Sequence, residues 1–193
     1  MGLIRDAGQE ADLRADGADP RVLSLEETTV DALAEALGGA DSVVFAAGAG
    51  PDSGAERKDT VDRQGAVTLA EAADRAGVHR YLLVSSYGAD ADASDEQYGE
   101  GFGTYLRAKG RAEQQVQAVD ALEVTVLRPG GLTDDAGTGK VRLAPSVERG
   151  QVTRDDVAAV LMALLDAPRT AGLTLELIEG DDDIAGAVQA AGD

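Results

Sequence analysis

Residues 60–86, TVDRQGAVTLAEAADRAGVHRYLLVSS, join a helix pattern directly to a strand pattern. Small and apolar residues recur at three- and four-residue spacing up to Gly77, which predicts a helix over residues 58–76. RYLLVSS (80–86) is a continuous apolar run, as in strands that are covered on both faces. A helix followed at once by such a strand predicts a fold of alternating α and β elements with parallel strands.

The same alternation extends along the rest of the chain. We predict further strands in SVVFAAG (42–48), LEVTVLRP (122–129) and LTLELIE (173–179), and helices over 102–119, 154–167 and 181–191. GLIR at the start reads as the end of a buried strand, followed by a short polar helix up to Gly17 and by a strand in RVLSL. The sequence therefore predicts one α/β domain over residues 1–193, with a doubly wound parallel sheet.

Charge and composition restrict the classes of partner. The chain has 36 acidic and 17 basic residues and a net charge of −19, which argues against nucleic acid and anionic membranes as partners. It has no apolar run of the ~18 residues that a membrane span needs and no visible signal peptide, so we predict a cytoplasmic protein. No cysteine is present, and the acids Asp181–Asp183 fit a helix cap better than a cage, so no metal site is predicted.

The residues that suggest chemistry follow the predicted strands. Gly48 and Gly50 come after SVVF, and Ser85 and Ser86 come after YLLV, at the carboxyl ends where α/β proteins bind ligands. Tyr105 and Lys109 follow on one face of the next helix, since they are four residues apart.

A lysine ammonium beside a phenol is expected to lower the pKa of the phenol, and a serine hydroxyl can polarise a carbonyl. The alternative is that Tyr105 only packs and that Lys109 is solvated.

Four segments together resemble the atypical short-chain dehydrogenase/reductases, in particular the NAD(P)H-binding proteins similar to biliverdin reductase B and the NmrA-like regulators. They are SVVFAAGAG (42–50), residues 60–86, YLRAKGRAE (105–113) and TVLRPGGLTDD (125–135). The resemblance implies a Rossmann-like fold and NADP or NAD as cofactor. It also implies that Ser86 or Ser85 polarises the substrate, that Tyr105 donates a proton and that Lys109 holds the nicotinamide ribose. Further residues implied to line the cofactor or to border its nicotinamide end are Ala46, Ala47, Gly48, Arg128 and Pro129.

Members of this family begin with a strand, a glycine-rich turn and a helix, and we expect this unit to be missing here, because GLIRD resembles their second strand. Arg5 would then reach the 2′-phosphate of NADP, unless it is merely an exposed arginine at a strand end. Ser24, followed by Leu25, stands near the place of an aspartate that lies close to the adenine in the family. Without the first strand, the second either pairs with the fourth, receives a strand of another chain, or leaves the ladder open.

Two functions remain open at this stage. The first is an NADP-preferring oxidoreductase that reduces a small carbonyl or similar acceptor, with Tyr105 and Lys109 as the working pair. The second is a non-catalytic protein of the same fold that senses a dinucleotide or binds a partner, or a truncated form with impaired cofactor binding. A monomer and a homo-oligomer are both compatible with the sequence.

Overall fold

The computed structural model describes residues 1–50 and 53–193. The strands are β1 (Gly2–Ile4), β2 (Pro20–Val22), β3 (Ser42–Phe45), β4 (Arg80–Val84), β5 (Glu123–Pro129), β6 (Gly131–Thr133), β7 (Lys140–Ala144), β8 (Gln151–Thr153), β9 (Thr174–Glu179) and β10 (Asp182–Asp183). The α-helices are α1 (Glu10–Ala15), α2 (Val30–Ala36), α3 (Ala55–Arg57), α4 (Ala66–Ala76), α5 (Asp95–Tyr98), α6 (Glu100–Gln117), α7 (Arg154–Leu165) and α8 (Ile184–Gly192). None of the described helices has the length and apolar character needed to cross a bilayer.

The central sheet has six strands in the order β10-β7-β9-β5-β4-β3. Strands β3, β4, β5 and β9 are parallel to their neighbours in this series, whereas β7 runs antiparallel to β9 and β10 antiparallel to β7. The predicted α/β, Rossmann-like fold with a mostly parallel sheet is therefore confirmed. The antiparallel edge was not predicted, because the sequence analysis found no strand in residues 131–153.

Apolar side chains cover both faces of the sheet, which explains the continuous apolar runs of its strands. Leu83 of β4 packs with Phe45 and Val126 in a core that includes buried residues of α2, α4 and α6. Leu82, its neighbour in the chain, points to the opposite face and packs with residues of β5, β9, α7 and α8. Alternate residues of one strand thus enter two cores, as expected for a sheet between two helix layers.

The helix predicted over residues 58–76 is interrupted. The helical stretch begins earlier, with α3, continues as a wider π-helical segment (Lys58–Gly65) and becomes a regular α-helix only in α4. Gly77 ends it in the left-handed conformation. Strand β3 ends at Phe45 rather than at Gly48, so that residues 46–50 form a loop at the carboxyl end of the sheet. Both departures lie beside the cavity described below, where regular elements give way to irregular backbone.

The first two strands stand apart from the central sheet. β1 and β2 form a parallel pair of their own, and within the described residues no backbone hydrogen bond joins them to β3. A cavity of about 430 Å³, the β1–β3 cleft, lies between Met1–Leu3 and residues 42–47 and is otherwise lined by leucine and alanine side chains. Direct pairing of β1, the predicted second strand, with β3, the predicted fourth, is therefore wrong, and within this chain the ladder is open between them.

Candidate functional site

A cavity of about 670 Å³ opens at the carboxyl ends of β3 and β4, beside the first half of α6. We call it the strand-end cavity. It brings together residues from six separated parts of the chain: the loop after β3, the π-helical segment, the end of β4, one face of α6, strand β6 and the start of α7. Six predicted site residues line it: Ala46, Ala47, Gly48, Ser85, Tyr105 and Lys109.

Lys109 is held at the floor of the cavity by groups of opposite charge or polarity. It is only 4% exposed. Its Nζ lies 3.1 Å from Asp62 Oδ1 and donates to the carbonyl of Val84 at 3.2 Å. The ammonium also lies 5.8 Å from the ring centroids of Phe45 and Tyr105. The alternative of a solvated Lys109 is therefore wrong: the lysine is buried and fixed.

Asp62 is the partner of Lys109 that the sequence analysis missed. Its side chain is 1% exposed, and the backbone N–H of Ala49 donates to its Oδ2 at 3.2 Å. A Cβ on Gly48 would lie 3.3 Å from Asp62 Oδ1, so the loop after β3 approaches this carboxylate closely. One carboxylate thus joins the loop at residues 46–50 to α6. The sequence signal that could have identified Asp62 is an acidic residue next to the apolar helix face of Val61, Gly65 and Leu69.

The pKa of the Tyr105 phenol is raised, whereas the sequence analysis expected it to be lowered. Burial raises the pKa of the phenol above its usual value, a hydrogen bond with Ser86 lowers it in part, and the negative charge of Asp62 raises it further. The prediction that Lys109 lowers this pKa is wrong. The ammonium lies over the face of the Tyr105 ring and its charge is matched by Asp62, so burial decides the direction.

The two serines after β4 have different partners. Ser85 is buried and its hydroxyl donates to Glu113 Oε1, while Ser86 Oγ donates to the carbonyl of Tyr87 at 3.3 Å. The Ser85 hydroxyl lines the strand-end cavity but is directed at a carboxylate within the protein, whereas Ser86 interacts with the Tyr105 phenol and is not among the lining residues.

Glu113 also binds Arg128 of β5, a residue predicted to border the nicotinamide end of the cofactor. Arg128 donates from Nε to Oε1 at 2.9 Å and from its terminal nitrogen to Oε2 at 2.5 Å, and this pairing raises the pKa of the guanidinium. Neither Arg128 nor Pro129 lines the cavity; the carbonyl of Pro129 instead accepts from the N–H of Tyr87 at 2.9 Å. These contacts fix the turn that carries Ser85 and Ser86.

Three more predicted cofactor residues, all in the first 25 residues of the chain, also lie outside the strand-end cavity. Arg5 is exposed directly after β1 and has no carboxylate within 4.0 Å in the described parts of the chain. Ser24 Oγ accepts from the N–H of Glu26 at 3.3 Å. Leu25 borders the β1–β3 cleft. The structure does not bring these residues together with Tyr105 and Lys109.

The donor set fits one half of a dinucleotide. Lys109 has three N–H groups, of which one is donated to Val84; Asp62 matches its charge as an ion pair, so an N–H group remains for a ribose hydroxyl. The small residues 46–50 allow a flat ring to approach the backbone, and Gly50 adopts a φ of 91° that favours glycine. In residues 1–50 and 53–193 no group of three or more His, Asp or Glu side chains is placed to hold a metal ion.

Comparison with known proteins agrees with this geometry. Residues 1–168 match a family described as NAD(P)H-binding. The chain belongs to this family. An uncharacterized sugar epimerase of Bacillus subtilis is 37% identical over 187 residues, which cover 97% of this chain and 85% of that protein. An uncharacterized (UPF0659) protein of Saccharomyces cerevisiae is 32% identical, over 90% of this chain and 78% of its own length.

Solved structures that are similar to this chain share its fold. A candidate NAD-dependent epimerase/dehydratase from Bacillus halodurans has a TM-score of 0.87 and 36% identity, with 97% of this chain and 86% of that chain covered. The anaerobillin reductase ChuY of Escherichia coli O157:H7 has a TM-score of 0.75 and 29% identity, with 94% and 84% covered. The predicted family and cofactor class, NADP or NAD, are thus confirmed.

Proposed function

We propose that this protein is an NAD(P)H-dependent oxidoreductase that reduces a small carbonyl or similarly polarised acceptor in the strand-end cavity. The observation that supports this function most strongly is the placement of Tyr105, with its raised pKa, beside the buried Lys109–Asp62 pair, in a chain of an NAD(P)H-binding family. The bound cofactor would supply a hydride to the acceptor. The protein would supply the proton and the positioning.

Tyr105 is suited to donate a proton. The phenol keeps its proton at neutral pH, and its raised pKa makes it a weaker acid than an ordinary tyrosine. The alkoxide that forms when a carbonyl accepts a hydride is a much stronger base than a phenolate, so it can still take this proton.

Lys109, Ser86 and Asp62 would position the reactants. Lys109 would hold the nicotinamide ribose with an N–H group that is not donated to Val84. Ser86, which faces the Tyr105 hydroxyl, would direct the acceptor oxygen toward it. Asp62 would keep the loop at residues 46–50 in place through the N–H of Ala49.

The preference for NADP over NAD is also part of the proposal. Arg5 is exposed at the end of β1, and no carboxylate of the described residues pairs with it, so its guanidinium is available for a phosphate. The ligands would be small molecules. Nucleic acid and membranes are poor partners for a chain with a net charge of −19.

A dinucleotide-sensing protein without turnover is the second candidate. It is supported by Ser85, whose hydroxyl is used within the protein by Glu113 rather than directed at a substrate. In that case Lys109 would still hold a ribose, but Tyr105 would only pack against Phe102, with ring centroids 5.8 Å apart.

Tyr105→Phe separates the two candidates. NADPH oxidation is followed at 340 nm with a panel of small aldehydes, ketones and quinones, and NADPH affinity is measured by fluorescence. We expect turnover to fall by about 10²-fold or more with nearly unchanged affinity, because only the proton donor is removed. Tyr98→Phe removes a hydroxyl outside the cavity and serves as control. Full activity of Tyr105→Phe would favour the non-catalytic function or a different proton source.

A further inference from the structure

Lys58 is a buried lysine whose charge is not matched within the described part of the chain. It is 9% exposed, is the first residue of the π-helical segment and lines the strand-end cavity. Its Nζ donates to the carbonyl of Gly101 at 3.2 Å. No carboxylate of residues 1–50 or 53–193 lies within 4.0 Å of it.

Both neighbours of Lys58 in the chain, Arg57 and Asp59, take part in other ion pairs. Asp59 pairs with Arg63 at 2.5 Å, and Glu26 pairs with Arg57 at 3.0 Å. A buried ammonium with only one carbonyl contact is costly, because burial removes its water without providing an opposite charge. Such a group is retained most readily where a ligand supplies the missing charge.

The strand-end cavity has the opposite charge balance to the whole chain. Among the described residues, Lys58, Lys109 and Arg154 line it together with a single carboxylate, Asp62, whereas the chain has a net charge of −19. Asp62 pairs with Lys109, and Arg154 pairs with Asp134 at 2.8 Å in a largely exposed contact. Lys58 therefore contributes the buried positive charge that remains.

We propose that Lys58 binds an anionic oxygen group, a carboxylate or a phosphate, of the substrate; this inference rests on the proposed reductase function. The position of Lys58 favours the substrate over the cofactor. Its contact residue Gly101 lies about one helical turn, a rise of about 6 Å, before Tyr105 on α6, and both residues line the strand-end cavity.

The surfaces beside Lys58 fit the remainder of such a substrate. Phe102, which follows Gly101, is 48% exposed and stacks on Tyr105, and Leu132 is 45% exposed at the same cavity. An apolar body can cover these side chains while the acid group meets Lys58 and the carbonyl meets Tyr105. The substrate class is therefore a short carbonyl-containing acid with an apolar segment between its two polar ends.

Binding of simple anions tests the site without cofactor. The ¹⁵N-labelled full chain is titrated with inorganic phosphate and with succinate, and the amides of Gly101 and Phe102 are followed by NMR. We expect saturable shifts at these amides and binding about tenfold weaker in Lys58→Met. Lys58→Arg should retain most of the binding, and Lys140→Met, an exposed lysine on β7, should retain all of it.

Three outcomes would overturn the proposal. The first is the absence of saturable shifts at Gly101 and Phe102 with either anion. The second is equal binding by Lys58→Met and the unsubstituted chain. The third is a Lys58→Met variant that binds NADPH about tenfold more weakly and succinate unchanged, which would assign Lys58 to the cofactor. A chain that binds no NADPH but shows Lys58-dependent anion binding would contradict the proposed reductase and leave the anion site supported.

Thermal unfolding distinguishes a binding role of Lys58 from a purely structural one. If the ammonium is uncompensated in the free protein, Lys58→Met should melt at the same temperature or higher, since methionine fills a similar volume without a charge. A clear fall in melting temperature of both Lys58→Met and Lys58→Gln would instead identify the contact to Gly101 as the reason for the lysine and contradict the proposal.

Discussion

Removing the charge of Asp62 should destabilise the protein strongly, although asparagine has nearly the same shape. The side chains of Asp62 and Lys109 are 1% and 5% exposed, and their charged atoms lie 3.1 Å apart. At an effective dielectric constant of about 20, two charges at this distance attract by about 5 kcal/mol, and breaking a buried pair typically costs about 3–5 kcal/mol. Asp62→Asn leaves the Lys109 ammonium buried without a counter-charge, so we expect a loss of about 3 kcal/mol.

Thermal and urea unfolding measure this loss directly. For a chain of this size, about 3 kcal/mol corresponds to a fall in melting temperature of roughly 6–12 °C. Asp59→Asn is the matched control, since Asp59 forms an ion pair in the same segment but its side chain is 42% exposed. The control should lose less than about 1 kcal/mol.

A double-mutant cycle tests the cause of the effect. Lys109→Met alone leaves the Asp62 carboxylate buried and unpaired, whereas Asp62→Asn with Lys109→Met leaves no buried charge at all. The double variant should therefore be more stable than the sum of the single losses predicts, by about 2 kcal/mol or more. Additive losses, or a single Asp62→Asn loss no larger than that of Asp59→Asn, would refute the reasoning.

The same substitution should move the titration of Tyr105. The carboxylate of Asp62 raises the pKa of this phenol by repelling the phenolate, so Asp62→Asn should lower it. Absorbance titration at 295 nm, with the Tyr105→Phe background subtracted, reports the shift. A Tyr105 pKa that stays unchanged or rises would show that Asp62 does not act on the phenol through its charge.

Two further predictions concern the cofactor end and the acid stability of the protein. Arg5→Ala should reduce the affinity for NADPH by about tenfold and leave that for NADH unchanged, as measured by fluorescence titration; equal binding of both dinucleotides before mutation would contradict this role of Arg5. Burial raises the pKa of Asp156, but hydrogen bonds from Thr138 and Gly139 outweigh it and hold the pKa below its usual value. This carboxylate therefore stabilises the fold above the unfolded pKa of about 4 and loses its effect as pH falls through the lower folded value. Asp156→Asn should accordingly cost about 1–3 kcal/mol at neutral pH, and its urea midpoint should converge with that of the unsubstituted chain in acid; parallel midpoints would contradict this.

The sequence predicted the elements that have long, regular patterns. Strands β4, β5 and β9 and helices α6 and α7 lie within two residues of their predicted ends, because burial on one or two faces leaves a clear periodicity. Strands β6, β7 and β8 were missed. They have three to five residues each, and only β7 alternates buried with exposed positions, so none has a pattern long enough to be distinguished from a loop.

The candidate site was predictable only where its residues share one element. Tyr105 and Lys109 were found from their spacing on one helix, and the same spacing continued to Glu113, which could have been found in this way. Asp62 could not be assigned, because its contact with Lys109 joins positions 47 residues apart and depends on the π-helical segment. The direction predicted for the pKa of Tyr105 was wrong for the same reason. The prediction considered the positive charge of Lys109 without the negative charge of Asp62, which pairs with it.

The β1–β3 cleft has a consequence for how the molecule gains its stability. Backbone hydrogen bonds transmit cooperativity across a sheet, and none of those described crosses this cleft. The unit of β1, α1 and β2 is attached through side chains such as Leu3, Leu23 and Leu25, which pack on the core without completing a ladder. It is therefore a separate unit of local unfolding, which can open at a lower free energy than the six-stranded sheet and leave that sheet, with the strand-end cavity, intact.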